Sequence, residues 1–217
     1  MNIYRRNLIK ALFLFSIFPK DRLFAMGAKI PKKDGIYRVR GTVFVNGKKA
    51  KEGELVRNGD KIVTQKNSYI IFIIDQSVYK LRPNSILHFK KKQKEETLHI
   101  LGVIRGGILS TFKPEIKKEI KTRTASIGVR GSAGYVQIEN DRTYFCLCYG
   151  EAEIRGVNNK LYEKIKTSHH DRPFNIYKDR IEPAKMKDHN DGELVEMENL
   201  VARKVPFDVN KGYMSER

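Results

Sequence analysis

Tyr69-Ile70-Ile71-Phe72-Ile73-Ile74-Asp75-Gln76-Ser77-Val78-Tyr79-Lys80-Leu81 is the stretch that decides the fold class. Six consecutive aromatic or β-branched residues, a two-residue polar break and a second short apolar run predict two antiparallel strands joined by a tight turn. Residues 69–74 have no polar face, so the first strand is expected to be covered on both sides. Towards the N-terminus, residues 36–45 alternate and run into Asn46-Gly47, whose two residues both tolerate positive φ and so predict a hairpin. Glu54-Leu55-Val56, the turn Arg57-Asn58-Gly59-Asp60 and Lys61-Ile62-Val63-Thr64 repeat the theme. Towards the C-terminus, Pro83-Asn84 turns into Ser85–Phe89, and residues 97–105 continue the pattern, with Gly102 and Gly106-Gly107 read as interruptions.

The second half is similar. Residues 121–125, 127–131, 134–138 and 142–149 read as strands, and Gly150 as a break before Glu151–Ile154. In Phe145-Cys146-Leu147-Cys148-Tyr149 both alternating sets are apolar, so this strand too is expected to be covered on both faces. Short strands with frequent turn signals predict an all-β fold, a sandwich or roll of short antiparallel strands. Beyond Gly156 alternation weakens and charge rises, which marks 157–217 as a basic C-terminal extension. Within it, Asn190-Asp191 caps a helix over about 192–203. Leu194, Met197, Val201 and Val205 recur on one face, Arg203-Lys204 lie at its end, and Pro206 stops it.

The N-terminus reads differently. Arg5, Arg6 and Lys10 precede the apolar run Ala11–Phe15, which extends through Ser16 to Phe18; Lys20 and Arg22 follow, and Ala25 offers a cleavage point. This order is that of an export signal over residues 1–25, followed by a linker over 26–35. The run is shorter than the roughly 20 apolar residues a membrane span needs. Arg5-Arg6-Asn7-Leu8-Ile9-Lys10 resembles a twin-arginine signal, although Tyr4 stands where Ser or Thr is usual and Leu8 where Phe is usual. An ordinary secretory signal that carries two arginines is the alternative. Either route predicts a periplasmic protein.

The 217 residues carry a net charge of +18. Five basic residues and one acidic residue fall in the leader, so +14 remains on the mature chain. A basic exported chain suits anionic envelope polymers or acidic proteins, whereas export takes it away from nucleic acid. The lysine run 90–94 and Lys117-Lys118 read as solvated hairpin tips. Cys146 and Cys148 are the two cysteines. In a strand they point the same way with Cα atoms about 6.5 Å apart, at the outer edge of disulfide geometry. Two buried free thiols are therefore expected. A Cys-x-Cys metal site needs two further ligands, and none stands near in sequence. His169-His170, with Asp171 and His189, is set aside because neighbours on an extended segment face opposite ways. No metal and no cofactor are expected.

An ordered series of segments carries a resemblance. Gly41–Gly47, Gly59-Asp60-Lys61-Ile62-Val63-Thr64 and Asp75–Ser85 are similar to the first half of a FecR-family domain. Lys121-Thr122-Arg123-Thr124-Ala125-Ser126-Ile127-Gly128-Val129-Arg130-Gly131-Ser132, Thr143 and Gly150–Ile154 are similar to its second half. The resemblance covers roughly 36–154, within a β domain placed at 36–156, and departs at Gln76, where the family usually has Gly, a change expected to alter the turn type. It implies an extracytoplasmic β domain. Well-known members sense an outer-membrane iron-siderophore transporter and signal to a sigma factor through an anti-sigma region and a membrane helix. This chain is expected to have neither, so the domain carries over and the iron-signalling role does not.

Gly59, Asp60, Thr64, Gly128, Val129, Gly131 and Gly150 are the structural motif positions, and Arg130 is the candidate binding residue. Its planar fork suits a carboxylate or phosphate. The structural alternative ties Arg130 to backbone carbonyls or to Asp60 or Glu139. No nucleophile elbow, zinc-protease motif or phosphate loop appears, so the chain is read as a non-enzyme. The leading reading is a periplasmic binding or sensing module for a protein or envelope polymer. A carbohydrate- or cell-wall-binding module and a regulatory partner of a membrane signalling complex are the alternatives.

Overall fold

The computed structural model describes residues 32–57, 59–91, 99–114, 117–170 and 172–209. The expected leader with Arg5, Arg6 and Ala25 lies outside them, as do Asn58, Lys92–Lys94 and Asp171. The strands are β1 (Gly35–Arg40), β2 (Val43–Val45), β3 (Lys48–Lys49), β4 (Lys61–Thr64), β5 (Tyr69–Ile74), β6 (Ser77–Leu81) and β7 (Ile86–Lys91), then β8 (His99–Thr111) and β9 (Lys117–Lys121). They continue with β10 (Ala125–Ile138), β11 (Thr143–Gly156), β12 (Tyr162–Thr167), β13 (Arg172–Ile176) and β14 (Ile181–Pro183). A single helix among the described residues, α1 (Asp191–Leu200), follows. The all-β class with a short C-terminal helix is as the sequence predicts.

β8, β10 and β11 are longer than the glycine-punctuated reading suggests, with 13, 14 and 14 residues. Their glycines are corners inside strands. β8 pairs with β7 and β9 before Gly106, and with β6 and β10 after it. β10 pairs with β9 through Arg130 and with β8 from Ala133, with an irregularity in register between. β11 pairs with β13 over Thr143–Leu147 and with β12 from Gly150. The three strands therefore turn from one layer into a second. Gly106 shows why glycine is needed at such a corner. Its φ is +76°, and a Cβ would lie 2.7 Å from the Ser85 Cα. Among the described residues all pairings are antiparallel except the short parallel contact of β8 with β9.

The main core lies between the layers. Phe72, Tyr79, Val136 and Phe145 come from one layer and Ile62, Leu87, Phe89, Leu101, Ile127 and Ile154 from the other. A second cluster fills the space between the outer side of the first layer and α1: Ile71, Ile73, Leu109, Tyr135, Tyr144, Cys146 and Cys148 meet Leu194, Met197, Leu200 and Val201. β5 and β11 are thus covered on both faces, as their unbroken apolar runs require. The Asn190 side chain caps α1 by accepting from the Glu193 N–H at 3.0 Å. β12 and β13, from the region the sequence sets apart as an extension, both pair with β11.

The Asp75-Gln76 turn differs from expectation. Its φ values are +49° and +58°, and Ile74 pairs with Ser77, so both central residues hold the left-handed geometry of a type I′ turn. Gln76 accepts the strain that glycine would avoid, and the turn type survives. Among the described residues no helix is long and apolar enough to cross a membrane.

Candidate functional site

The first layer's second core contains a cluster of thiols, imidazoles and a carboxylate that the sequence keeps far apart. β11 sends Cys146 and Cys148 to its helix-facing side, two residues apart and both fully buried. The turn after β12 supplies His169 and His170, and the segment entering α1 supplies His189 and Asp191. Cys146 Sγ lies 3.6 Å from His170 Nδ1, and His189 Nε2 lies 3.1 Å from the same His170 nitrogen. The thiol sulfurs of Cys146 and Cys148 and one nitrogen each from His170 and His189 all fall within 4.8 Å of one another.

Setting His169 and His170 aside as metal ligands rests on an extended segment at this pair. Instead His170 has φ +50°, and this left-handed step folds its ring inward beside His169. His170 Nε2 donates to Asp191 Oδ1 at 3.0 Å, and His169 Nε2 reaches both Asp191 oxygens at 2.9 Å. His189 Nδ1 donates to the Lys187 carbonyl at 2.7 Å. Tyr135 stacks on His189 at 4.9 Å between centroids, and Phe207 stacks on His169 at 4.1 Å. The Cys148 thiol, then His170 and His189, hold the Cys146 thiol well below its ordinary pKa against the opposing effect of burial. Burial pushes the Cys148 thiol up. No sequence pattern announces this convergence; the one available signal is that the Cys-x-Cys pair shares a strand face.

Arg130 lies elsewhere, on the outer face of the second layer. Asp60 and Glu139, its expected acid partners, are engaged with Asn46 and the Arg57 N–H, and with Arg142 and Lys187 respectively. Arg130 is exposed and pairs in register with Lys117 on β9 and Glu151 on β11, and its side chain makes no hydrogen bond or ion pair with another described residue. Gly128, one step along the same face, opens a shallow cleft of about 180 Å³ lined by Lys117, Arg130, Glu151, Glu153 and Lys164. Val129 points inward and is buried.

The remaining motif positions serve the scaffold. Asp60 closes the Arg57–Asp60 turn, in which Gly59 has φ +96°. Thr64 Oγ1 donates to the Arg82 carbonyl at 2.6 Å and accepts from the Ser85 N–H at 2.9 Å. Gly131 and Gly150 have φ +55° and +95° at the corners of β10 and β11.

No family model matches the chain, and no curated protein matches it. Two crystal structures of a candidate anti-sigma factor from Parabacteroides distasonis are similar to it at 10% and 11% sequence identity, each with a TM-score of 0.49. In both, the likeness covers 58% of this chain and 60% of that one. A likeness of that degree, over less than two thirds of those chains, carries neither a family nor a role to this protein.

Proposed function

We propose that the chain is a non-enzymatic, exported module of the FecR type that binds or senses an anionic protein or envelope polymer. The observation that carries this reading is the outer face of β9–β12. Its cross-strand rows run Lys117, Arg130, Glu151, Lys166; then Glu119, Gly128, Glu153, Lys164; then Lys121, Ser126, Arg155, Tyr162. Glu151 pairs with Lys166 at 3.0 Å and Glu153 with Arg155 at 3.1 Å, while Lys117, Arg130 and Lys164 have no ion pair among the described residues. Three cations without an ion pair of their own stand around the glycine gap, more than Glu151 and Glu153 there can balance; they suit carboxylates or phosphates, and Arg130 supplies the planar fork.

The buried Cys146–His170–Asp191 row has the members of a nucleophile, base and orienting acid. All three are buried, which speaks against contact with a substrate.

The test is retention on purified sacculi, with pull-down from envelope extract in parallel. Retention that falls in high salt, and falls again with Arg130→Ala/Lys164→Ala, supports the reading. One stoichiometric protein captured through the same residues favours the regulatory-partner form. Capture or retention indifferent to salt and to both substitutions overturns it. Fractionation with Arg5-Arg6 replaced by Lys-Lys tests export separately: cytosolic accumulation marks the twin-arginine route.

A further inference from the structure

We propose that Cys146, Cys148, His170 and His189 form a structural site for a borderline-soft divalent cation, Zn²⁺ by ligand preference. The first ground is the donor set. Two sulfurs and two imidazole nitrogens suit tetrahedral zinc. With metal–sulfur bonds of about 2.3 Å and metal–nitrogen bonds of about 2.0 Å, such a tetrahedron has edges of about 3.3–3.8 Å. The observed nitrogen–nitrogen and sulfur–nitrogen edges are 3.1 and 3.6 Å, and no pair in the set exceeds 4.8 Å. Closing the widest pair needs a movement of about 1 Å, within reach of a cysteine χ1 adjustment.

The second ground is where the imidazole protons sit. A carboxylate and a backbone carbonyl only accept. His170 therefore carries its proton on Nε2, towards Asp191, and His189 carries its own on Nδ1, towards the Lys187 carbonyl. The other two nitrogens, His170 Nδ1 and His189 Nε2, face each other at 3.1 Å beside the Cys146 sulfur, clear of the outer acceptors. A cation placed between them would take both nitrogens as ligands in place of the proton that otherwise bridges them. The outer hydrogen bonds are those that orient metal-bound histidines elsewhere: one to a carboxylate, one to a main-chain oxygen.

The third ground is backbone strain. A histidine at φ +50° costs on the order of 1 kcal/mol, and here the left-handed step is what delivers Nδ1 to the sulfurs. Four protein donors leave no open position, so the site is structural rather than catalytic. It ties together β11, the turn between β12 and β13, and the entry to α1. Zn²⁺ binds both sulfurs as thiolates, so any thiol proton still present goes to solvent, and no oxidation state changes.

The experiment uses the purified full chain, kept reduced. Elemental analysis is expected to give one zinc per chain. After chelation, cobalt(II) is expected to restore one equivalent, with thiolate-to-cobalt charge transfer and the strong visible bands of a tetrahedral ion. Metal removal is expected to lower Tm by about 10 °C or more. Cys148→Ser and His189→Gln are expected to abolish stoichiometric binding, while His88→Gln on β7 retains it. If a site variant fails to fold, the metal content and cobalt spectrum of the unaltered chain still decide. A chelated chain that stays folded by circular dichroism yet takes up neither zinc nor cobalt overturns the proposal. A Cys146–Cys148 disulfide, or a proton shared by the two imidazoles in the metal-free chain with its thermal stability unchanged by metal, does so as well.

Discussion

Arg82 holds Glu193 by a two-point ion pair, Nη1 to Oε1 and Nη2 to Oε2, both at 2.6 Å, with Lys80 on the same carboxylate at 2.7 Å. β6 thereby grips the first turn of α1. Burial alone would favour the protonated acid, but the hydrogen bonds and charges of Arg82 and Lys80 overcome it and bring the Glu193 pKa from the usual 4.5 to about 2. The depressed value means that the stabilisation is complete above about pH 4.5 and is lost as pH falls towards 2. It amounts to about 3 kcal/mol. Denaturant unfolding at a series of pH values is expected to show this loss, and Glu193→Gln to flatten it.

Lys118 behaves in the opposite charge sense. Burial on the inward face of β9 lowers its pKa from 10.5 to about 8, against the pull of Asp75 and Asp34. The folded chain sheds that proton earlier than the unfolded chain does. Stability is therefore expected to rise from about pH 8 to 10.5, and to lose that contribution as pH falls through 8. Comparing the pH dependence of unfolding with that of Lys118→Met isolates the effect, because the variant lacks this slope.

The Gln76 backbone sits at φ +58° in the β5–β6 turn, and Arg203 Nη1 donates to its carbonyl at 2.5 Å. Gln76→Gly relieves the left-handed strain and keeps that carbonyl, so it is expected to stabilise by about 0.5 kcal/mol. Gln76→Val, branched at Cβ, is expected to destabilise by about 1–2 kcal/mol. Thermal melting of the three proteins gives the order.

Gly106→Ala places a methyl group 2.0 Å from the Ser85 Oγ and 2.7 Å from its Cα, at φ +76°. A loss of several kcal/mol or failure to fold is expected. Ser85→Gly removes the hydroxyl and Cβ but not the Cα, so the double variant is expected to remain well below the unaltered chain in unfolding midpoint. Recovery by that double variant would contradict the corner geometry.

The strand and turn pattern was legible because alternation, Asn46-Gly47 and the Asn190 cap are local signals with local causes. The corners at Gly106, Gly131 and Gly150 were not. A glycine that ends a strand and one that bends it look alike until the partner changes along its length. The thiol–imidazole cluster was half legible. Cys146 and Cys148 visibly share a face, but His170 reaches them only through one left-handed residue, and His189 only because α1 folds back across β11. Arg130 stood out as a donor fork between glycines, and its freedom from Asp60 and Glu139 depended on where those acids found other partners.

Because β8, β10 and β11 each belong to both layers, the domain has no seam along which to come apart. A protease would find no half to release intact, and a pulling force on one layer would be passed straight to the other. Unravelling is therefore expected as a single all-or-nothing event, the mechanical opposite of beads on a string.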